Sequence, residues 1–300
     1  MSNTVAVVTG ANAGLGYQTA LKLARAGMTV VMACRSMERA RQAQSHLLAQ
    51  VPSAKTTIIP LDVSEPESIQ EFGRRFSEQH GRLDILINNA GIVAVPLSRN
   101  RVGHEMHLAT NYLGAFALTG TLLPFFRKDV QARVVNVGSL AHRLGKLDLA
   151  DLNWEKTPYN EWKAYTRSKL ALLSFTMELN RRLRQGSSNV IALAAHPGFA
   201  ATEASKNSDA LTPRNAFSKW INEKIRTLIP LAAEASSPIV HAARDDGVSG
   251  GDYYGPSGFL EIRGRTGRAR VNPIVRDVDV GRRLWTLSES MSGIHYLSDL

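Results

Sequence analysis

The 300-residue chain contains one cysteine, Cys34, and no long run of apolar residues. A single cysteine excludes an intramolecular disulfide and any metal site built from several cysteines, so folding needs no oxidising compartment. No stretch approaches the roughly twenty apolar residues that a membrane-crossing helix requires. The first apolar run, Val5 to Val8, lacks the basic lead and the extended apolar segment of a secretory signal. These absences predict a cytoplasmic protein without a membrane span.

Acidic residues are in short supply, with 26 Asp and Glu against 36 Lys and Arg and a formal net charge of +10. Such an excess attracts nucleic acid, acidic surfaces or an anionic cofactor. The densest basic stretch, Arg263 to Arg270, has its arginines among glycines without interleaved aromatic residues. We interpret it as a solvated loop and expect no nucleic-acid partner. No metal is expected either, because His104, His107, His142 and His196 show no ligand spacing.

Apolar β-type segments alternate with helical patterns through the first two-thirds of the chain, which is typical of a parallel sheet with helices on both faces. We predict an α/β fold with a single doubly wound Rossmann-type parallel sheet and ligands at the carboxyl ends of its strands. The predicted strands are Val5–Thr9, Thr29–Ala33, Thr56–Leu61, Ile85–Asn88, Ala132–Val137 and Asn189–Ala195. The predicted helices are Gly14–Ala26, Met37–Gln50, Pro66–His80, His104–Phe126, Glu161–Gln185 and Pro213–Leu228.

The alternation ends after Thr202, where prolines and glycines become frequent. No internal repeat, low-complexity tract or linker divides the sequence. We therefore predict one dinucleotide-binding catalytic domain over residues 1–300, in which residues 203–300 contribute a substrate lid and a final edge strand near Asp252–Tyr254.

A glycine-rich turn, TGANAGLG at residues 9–16, joins the first predicted strand to the first predicted helix. Glycines let the chain turn tightly and let backbone N–H groups approach a pyrophosphate, which the partial positive charge of the helix N-terminus also favours. The predicted cofactor contacts here are Gly10, Asn12, Gly14, Leu15 and Gly16. The alternative is a tight strand-to-helix turn without a ligand, and the flanking strand and helix favour nucleotide binding.

The ends of the next strands complete the predicted adenosine site. Arg35 follows the second strand, about twenty residues after the glycines, where a carboxylate would bind the free 2′-hydroxyl of NAD(H). A guanidinium suits the 2′-phosphate of NADP(H) instead. Asp62 and Val63 follow the third strand, and Asn89-Ala90-Gly91 follows the fourth. The alternatives are that Arg35 caps a surface strand and that the other segments are turns.

Four polar residues that follow the adenosine motifs along the sequence suggest proton chemistry. Tyr165 and Lys169 lie four residues apart in a helical pattern, and an ammonium beside the phenol would lower the tyrosine pKa. Ser139 follows an apolar strand at the sheet edge, where its hydroxyl can bind a substrate oxygen. Asn111 is a polar residue in an apolar helix and can hold a water between Lys169 and solvent. The alternatives are an amphipathic surface for the pair, a helix cap for Ser139 and a satisfied buried amide for Asn111.

With these residues in this order, the sequence resembles the short-chain dehydrogenase/reductase family, and within it the retinol-dehydrogenase-like oxidoreductases. The resemblance runs from about Thr4 to Thr202 and is weaker beyond. The motifs that carry it are the glycine turn, Asp62, Asn89-Ala90-Gly91, Asn111, Ser139, Tyr165, Lys169, Pro197-Gly198 and Thr202.

The family resemblance implies a role for each of these residues. Tyr165 would protonate the carbonyl oxygen in reduction, Ser139 would orient that oxygen, and Lys169 would bind the nicotinamide ribose and tune Tyr165. Asn111 would hold a proton-relay water. Pro197, Gly198 and Thr202 would contact the nicotinamide end of the cofactor.

Two departures from the family pattern stand out. Gly138 occupies the position before Ser139, where a serine is frequent in the family. Ser139 and Tyr165 are 26 residues apart, which is longer than in most members. We interpret the extra segment, Leu147 to Trp162, as a cover over the helix face through which many relatives form tetramers, and expect a monomer or homodimer.

The sequence therefore predicts an NADP(H)-dependent oxidoreductase that moves a hydride between nicotinamide and a carbonyl or primary or secondary alcohol carbon. Its substrate would be a moderately large apolar small molecule, because the predicted pocket walls carry aromatic residues: Trp154, Tyr159, Phe199, Phe217 and Trp220. The alternative is a dinucleotide-sensing binding protein without catalysis, which would explain the cofactor groove but not the full set of reactive residues. Turnover with a reducible carbonyl separates the two hypotheses.

Overall fold

The computed structural model describes residues 4–198 and 232–297. In these ranges an eight-stranded sheet has the order β3-β2-β1-β4-β5-β6-β7-β8. The strands are β1 (Val5–Thr9), β2 (Thr29–Cys34), β3 (Thr56–Pro60), β4 (Ile85–Asn88), β5 (Ala132–Val137), β6 (Val190–Ala195), β7 (Tyr253–Pro256) and β8 (Thr266–Arg268). Strands β1 to β7 pair in parallel, and β8 pairs antiparallel with β7. The predicted doubly wound α/β fold is confirmed.

Helices cover both faces of the sheet. They are α1 (Gly14–Arg25), α2 (Met37–Gln50), α3 (Pro66–Gln79), α4 (Gly114–Leu122), α5 (Glu161–Gln185), α6 (Ser237–Arg244) and α7 (Val278–Ser292), with a short helix at Ala232–Ala235. Short 3₁₀ segments lie at Leu123–Phe125, Leu140–Leu144, Phe259–Glu261 and Pro273–Arg276. Among the described residues, no helix has the length and apolar character needed to cross a membrane.

The two-residue period of the strands divides the core into two layers. Val5 and Val7 of β1 face the cluster that holds Phe72, Phe116 and Trp285 under α3, α4, α5 and α7. Ala6 and Val8 face the opposite cluster under α1, α2 and α6. A strand that is buried on both faces reads as a continuous apolar run, which is why the sequence predicted the parallel strands closely.

The last strands differ from the prediction. Asp252–Tyr254 was expected at the edge of the sheet, but β7 spans Tyr253–Pro256 and β8 lies outside it. Part of the basic stretch interpreted as a solvated loop forms β8, where Arg268 is opposite Tyr254 and its guanidinium lies 3.3 Å from Asp252 Oδ2. Pairing with an open strand edge gives this segment its conformation although its own β-propensity is low.

The predicted helix over His104–Phe126 is a composite. A turn at Met106–Leu108 begins it, with Glu105 capping the backbone N–H groups of His107 and Leu108. A π-helical segment at Ala109–Leu113 follows and leads into α4. Insertions of this kind are frequent at functional sites, because they redirect side chains within a helix. The predicted helix Pro213–Leu228 lies outside the described residues.

The order of the strands in the sheet determines where the candidate site lies. Strand β1 pairs with β2 on one side and with β4 on the other, so the strands that follow β3 are added to the sheet on the opposite side of β1. Crossovers on the two sides of this point diverge and leave a crevice at the carboxyl ends of the strands. The glycine turn after β1 and the segments after β4 and β5 all lie at this edge.

Candidate active site

The glycine turn has the backbone that an approaching phosphate needs. Gly10 and Gly14 have φ values of +66° and +52°, in the left-handed region that favours glycine. A Cβ at Gly16 would lie 2.3 Å from the Gly10 carbonyl oxygen, so no larger residue fits there. Ala13, the N-cap of α1, supplies no side-chain acceptor to the first helical N–H groups. These donors fit a pyrophosphate, and nothing lies within 4 Å of a Cβ placed at Gly14.

Thr9 connects this turn to the end of β4, a role that the sequence analysis missed. Its Oγ1 accepts hydrogen bonds from the backbone N–H groups of Asn89, at 2.9 Å, and of Ala90, at 2.8 Å. Asn89 Nδ2 donates to the Thr9 carbonyl oxygen at 2.8 Å. The Asn89-Ala90-Gly91 segment is thus held against the glycine turn, and the Thr-Gly pair that opens the turn was the available signal.

The predicted adenosine residues lie together after β2 and β3. Arg35 Nη1 lies 3.5 Å from Asp62 Oδ2, and the Arg35 side chain is 73% exposed. Asp62 Oδ1 accepts hydrogen bonds from the Ser64 N–H, at 3.0 Å, and from the Ser64 hydroxyl, at 2.7 Å. Val63 is buried behind them. An exposed ion pair of this kind contributes little stability, so Arg35 is free to exchange its partner for an anionic ligand.

Asn111 lies in the π-helical segment, and its side chain makes three hydrogen bonds. Its Oδ1 accepts from the Ile92 N–H at 2.8 Å, and its Nδ2 donates to the Ile92 carbonyl at 3.0 Å and to Ser168 Oγ at 2.9 Å. Ser168, from the same α5 turn as Tyr165 and Lys169, was not predicted as a site residue. Asn111 therefore joins the segment after β4 to α5.

Lys169 is buried where the segments after β4 and β5 meet. Its Nζ donates to the Val137 carbonyl oxygen at 2.8 Å. A Cβ at Gly91 would lie 3.5 Å from Lys169 Nζ and 3.1 Å from Asn111 Oδ1, so both polar atoms border the space above Gly91. Burial lowers the pKa of Lys169 to about 8, which leaves the ammonium mostly charged at neutral pH.

The Tyr165 phenol interacts with the Ser139 side chain across the site. Burial raises the pKa of the Tyr165 phenol, and a hydrogen bond with the Ser139 side chain opposes that rise. The predicted net lowering of this pKa is wrong for this structure, because desolvation, the largest cause of the shift, raises it. Ser139 Oγ also accepts from the Ala141 N–H at 3.2 Å, so the serine is a helix cap as well.

The turn at Pro197 and Gly198 follows β6 at the same edge of the sheet. Gly198 has a φ of +75°, and a Cβ there would lie 2.2 Å from the Ile262 carbonyl oxygen. Its N–H donates to His196 Nδ1 at 3.1 Å, and His196 Nε2 lies 3.3 Å from Glu261 Oε2. Burial lowers the pKa of His196 to about 4, so the imidazole is neutral at physiological pH. Thr202 lies outside the described residues.

The buried histidines beside the site are more than the ordinary loop residues expected from the sequence. His107 Nδ1 lies 2.8 Å from Glu105 Oε1, while Tyr159 Oη donates to the same oxygen at 2.9 Å and to the Val95 carbonyl at 3.1 Å. The His107 ring lies 6.3 Å from the Tyr165 ring, centroid to centroid. This network fixes the loop after β4 behind the phenol, and no sequence motif signalled it.

Two aromatic residues expected in the pocket wall have other partners. Trp154 is buried under the Arg167 guanidinium, 4.0 Å from its ring centroid, and packs edge-on against Tyr159. Both therefore hold the segment between Ser139 and Tyr165 in place. Phe199, Phe217 and Trp220 lie outside the described residues. Over the described ranges, no group of three histidine, cysteine or carboxylate side chains is placed to bind a metal.

Comparison with known proteins adds independent evidence. The sequence model of the short chain dehydrogenase family matches residues 4–212. Retinol dehydrogenase 13 of Mus musculus is 37% identical over 292 residues, which cover 96% of this chain and 83% of that protein. Retinol dehydrogenase 12 of Homo sapiens is 36% identical over 295 residues, covering 97% of this chain and 87% of that protein.

A solved structure extends the agreement to the fold. The crystal structure of an uncharacterized protein from Mycobacterium paratuberculosis matches with a TM-score of 0.79 at 35% identity, covering 98% of this chain and 94% of that one. The sequence match and the fold match agree. The chain therefore belongs to the short-chain dehydrogenase family of oxidoreductases, and within it to the members that resemble retinol dehydrogenases.

Proposed function

We propose that the chain is an NADP(H)-dependent oxidoreductase that transfers a hydride between nicotinamide and the carbonyl or alcohol carbon of a moderately large apolar substrate. The interaction of the buried Tyr165 phenol with the Ser139 side chain carries this proposal. It lies at the same sheet edge as the glycine turn, with Lys169 beside it. A dinucleotide-sensing protein would need the turn but not the phenol and hydroxyl together.

The residues present fit the cofactor. The glycine turn residues Gly10, Asn12, Gly14, Leu15 and Gly16 would hold the pyrophosphate, because the α1 N-terminus has no side-chain cap there. The adenosine would contact Arg35, Asp62, Val63, Asn89, Ala90 and Gly91, and the nicotinamide end Tyr165, Lys169, Pro197, Gly198 and Thr202. When bound, the cofactor supplies or accepts the hydride.

The side chains of the site supply the proton chemistry. Ser139 Oγ would donate a hydrogen bond to the substrate oxygen, and Tyr165 would donate its proton to the same oxygen during reduction. The raised pKa of Tyr165 keeps the phenol protonated, which is the form that reduction requires. The charged Lys169 would then stabilise the phenolate left behind.

Asn111 would help a proton from solvent to reach Lys169 and Tyr165. Its Oδ1 and Lys169 Nζ border the same space above Gly91. An amide oxygen retains a second lone pair after accepting one hydrogen bond, so a water there can bind both Asn111 and Lys169. We infer that this water passes a proton towards Lys169 and Tyr165.

Exposed apolar side chains on the 3₁₀ segment after Ser139 and on the Phe259–Glu261 segment favour an apolar substrate. Leu144, at the end of the 3₁₀ segment after Ser139, is 82% exposed, and Phe259 is 84% exposed. The two segments are linked by Arg143, whose Nη2 lies 2.5 Å from Glu261 Oε2. The relatives named above are retinol dehydrogenases, so retinaldehyde belongs among the test substrates.

The experiment is a panel of aldehydes and ketones, including retinaldehyde and short water-soluble carbonyls, with NADPH oxidation followed by absorbance. We expect turnover that rises in kcat/KM with the apolar surface of the substrate. Each buried CH₂ group contributes about 0.8 kcal/mol, equivalent to about four-fold. Tight NADPH binding without turnover on any member of the panel would instead support the dinucleotide-sensing protein.

We also infer a monomer or homodimer. Helix α7 covers α4 and α5, with the Trp285 ring centroid 5.1 Å from Phe116 and 5.9 Å from Phe175. The segment before α5 covers its first turns, where Arg167 Nη1 donates to the Asp151 carbonyl at 2.6 Å. With this helix face covered, we expect sedimentation to give a species no larger than a dimer. A stable tetramer would contradict the inference.

A further inference from the structure

A buried hydroxyl beside Ser139 has no role in the chemistry described so far. Tyr253, the first residue of β7, is 3% exposed, and its Oη makes no hydrogen bond of ordinary length and angle to the described residues. The backbone N–H of Ser139 faces that oxygen. A buried hydroxyl that makes no full hydrogen bond destabilises the fold, so its retention calls for an explanation.

Gly138 makes room for this hydroxyl. A Cβ at Gly138 would lie 2.8 Å from Tyr253 Oη, closer than real contacts allow, and 3.0 Å from Tyr253 Cε2, which is a tight contact. The family resemblance places a serine at this position in many members. In this chain the phenol occupies the space that such a side chain would need, directly beside the backbone of Ser139.

His142 contacts the backbone carbonyl of Ser139. Its Nδ1 donates to the Ser139 carbonyl oxygen at 2.5 Å, and its Nε2 accepts from the Asn272 N–H at 3.2 Å. These two contacts require the neutral ring with its proton on Nδ1. The His142 ring also packs edge-on against Tyr253, with 5.4 Å between centroids. The backbone of Ser139 is thus enclosed by side chains from distant parts of the chain.

We propose that Tyr253 is a positioning residue for Ser139: its phenol, packed beside Gly138 and against His142, sets where the Ser139 hydroxyl meets Tyr165. The inference rests on the proposed catalytic role of Ser139. Tyr253 acts through the backbone of Ser139 and does not itself donate a proton to the substrate.

The test compares Tyr253→Phe with Tyr254→Phe, which removes a hydroxyl from the same strand on the opposite face. Tyr254 Oη donates to Asp252 Oδ2 at 2.6 Å, away from Ser139. We expect Tyr253→Phe to lower kcat about three- to ten-fold, the equivalent of a weak hydrogen bond, without changing the KM for NADPH or lowering Tm. Tyr254→Phe should keep kcat and lower Tm, because it loses a satisfied hydrogen bond.

Gly138→Ala, made in the native protein and in Tyr253→Phe, tests the packing between Gly138 and Tyr253. Gly138→Ala should lower kcat in the native background, where its Cβ meets Tyr253 Oη, and should cost less in the Tyr253→Phe background. Additive effects on kcat, or a Tyr253→Phe variant with native kcat, would overturn the proposal while Ser139→Ala still removes turnover. If Ser139→Ala itself keeps native turnover, the proposed function of Ser139 is wrong, and Tyr253 has nothing to position.

Discussion

Replacing Tyr165 with phenylalanine should lower kcat by about 10²–10⁴-fold, the contribution expected of a general acid. The substitution removes one hydroxyl and keeps the ring, which packs edge-on against Trp162 at 6.0 Å between centroids. The buried hydroxyl interacts with Ser139, so its loss should lower Tm slightly, by the contribution of one hydrogen bond, which is far too little to account for the loss of kcat. The measurement is kcat for the best carbonyl of the panel, with the Kd for NADPH measured in parallel by fluorescence.

Tyr159→Phe is the matched control for this prediction. The Tyr159 hydroxyl lies in the network behind the site and binds Glu105 and the Val95 carbonyl. Its loss should lower Tm, and should lower kcat far less than the loss of the Tyr165 hydroxyl. Native turnover in Tyr165→Phe would show that another group donates the proton. A loss of NADPH binding equal to the loss of kcat would show that the phenol serves the cofactor alone.

The features that the sequence predicted best are those with a repeating or local pattern of residues. The continuous apolar run of β1 places Val5 and Val7 in one core layer and Ala6 and Val8 in the other, and strands β2, β4, β5 and β6 are buried in a similar way. The glycine turn and the four-residue spacing of Tyr165 and Lys169 are local signals too. Their positions at one sheet edge follow from the right-handed crossovers of parallel strands.

What the sequence did not predict depends on contacts between distant residues. His142 and Asn272 are 130 positions apart, and neither flanking sequence indicates that the histidine holds Ser139. The edge strand β8 forms because β7 offers unpaired backbone groups, although Thr266-Gly267-Arg268 has no apolar pattern. The direction of the Tyr165 pKa shift likewise depends on burial, which spacing does not reveal.

The choice between NADPH and NADH should depend on Arg35. Its guanidinium is exposed and lies 3.5 Å from Asp62 Oδ2, at the end of β2 where the adenine ribose is expected. A charge-assisted hydrogen bond contributes about 1.5–3 kcal/mol, so the native protein should bind NADPH about ten-fold or more tightly than NADH. Exchanging the weak pair with Asp62 for a phosphate costs little at this exposure.

Arg35→Asp should therefore weaken NADPH binding by about 100-fold or more, because attraction is lost and repulsion between the new carboxylate and the 2′-phosphate is added. NADH lacks the phosphate and should change much less. Arg41→Asp alters the net charge equally from an exposed position further along α2, and should leave the NADPH to NADH ratio of dissociation constants unchanged. Measuring that ratio in the three proteins separates a local contact from general electrostatic attraction. A native preference for NADH, or a ratio that Arg35→Asp does not alter, would make Arg35 a surface arginine and remove the basis for proposing NADP(H).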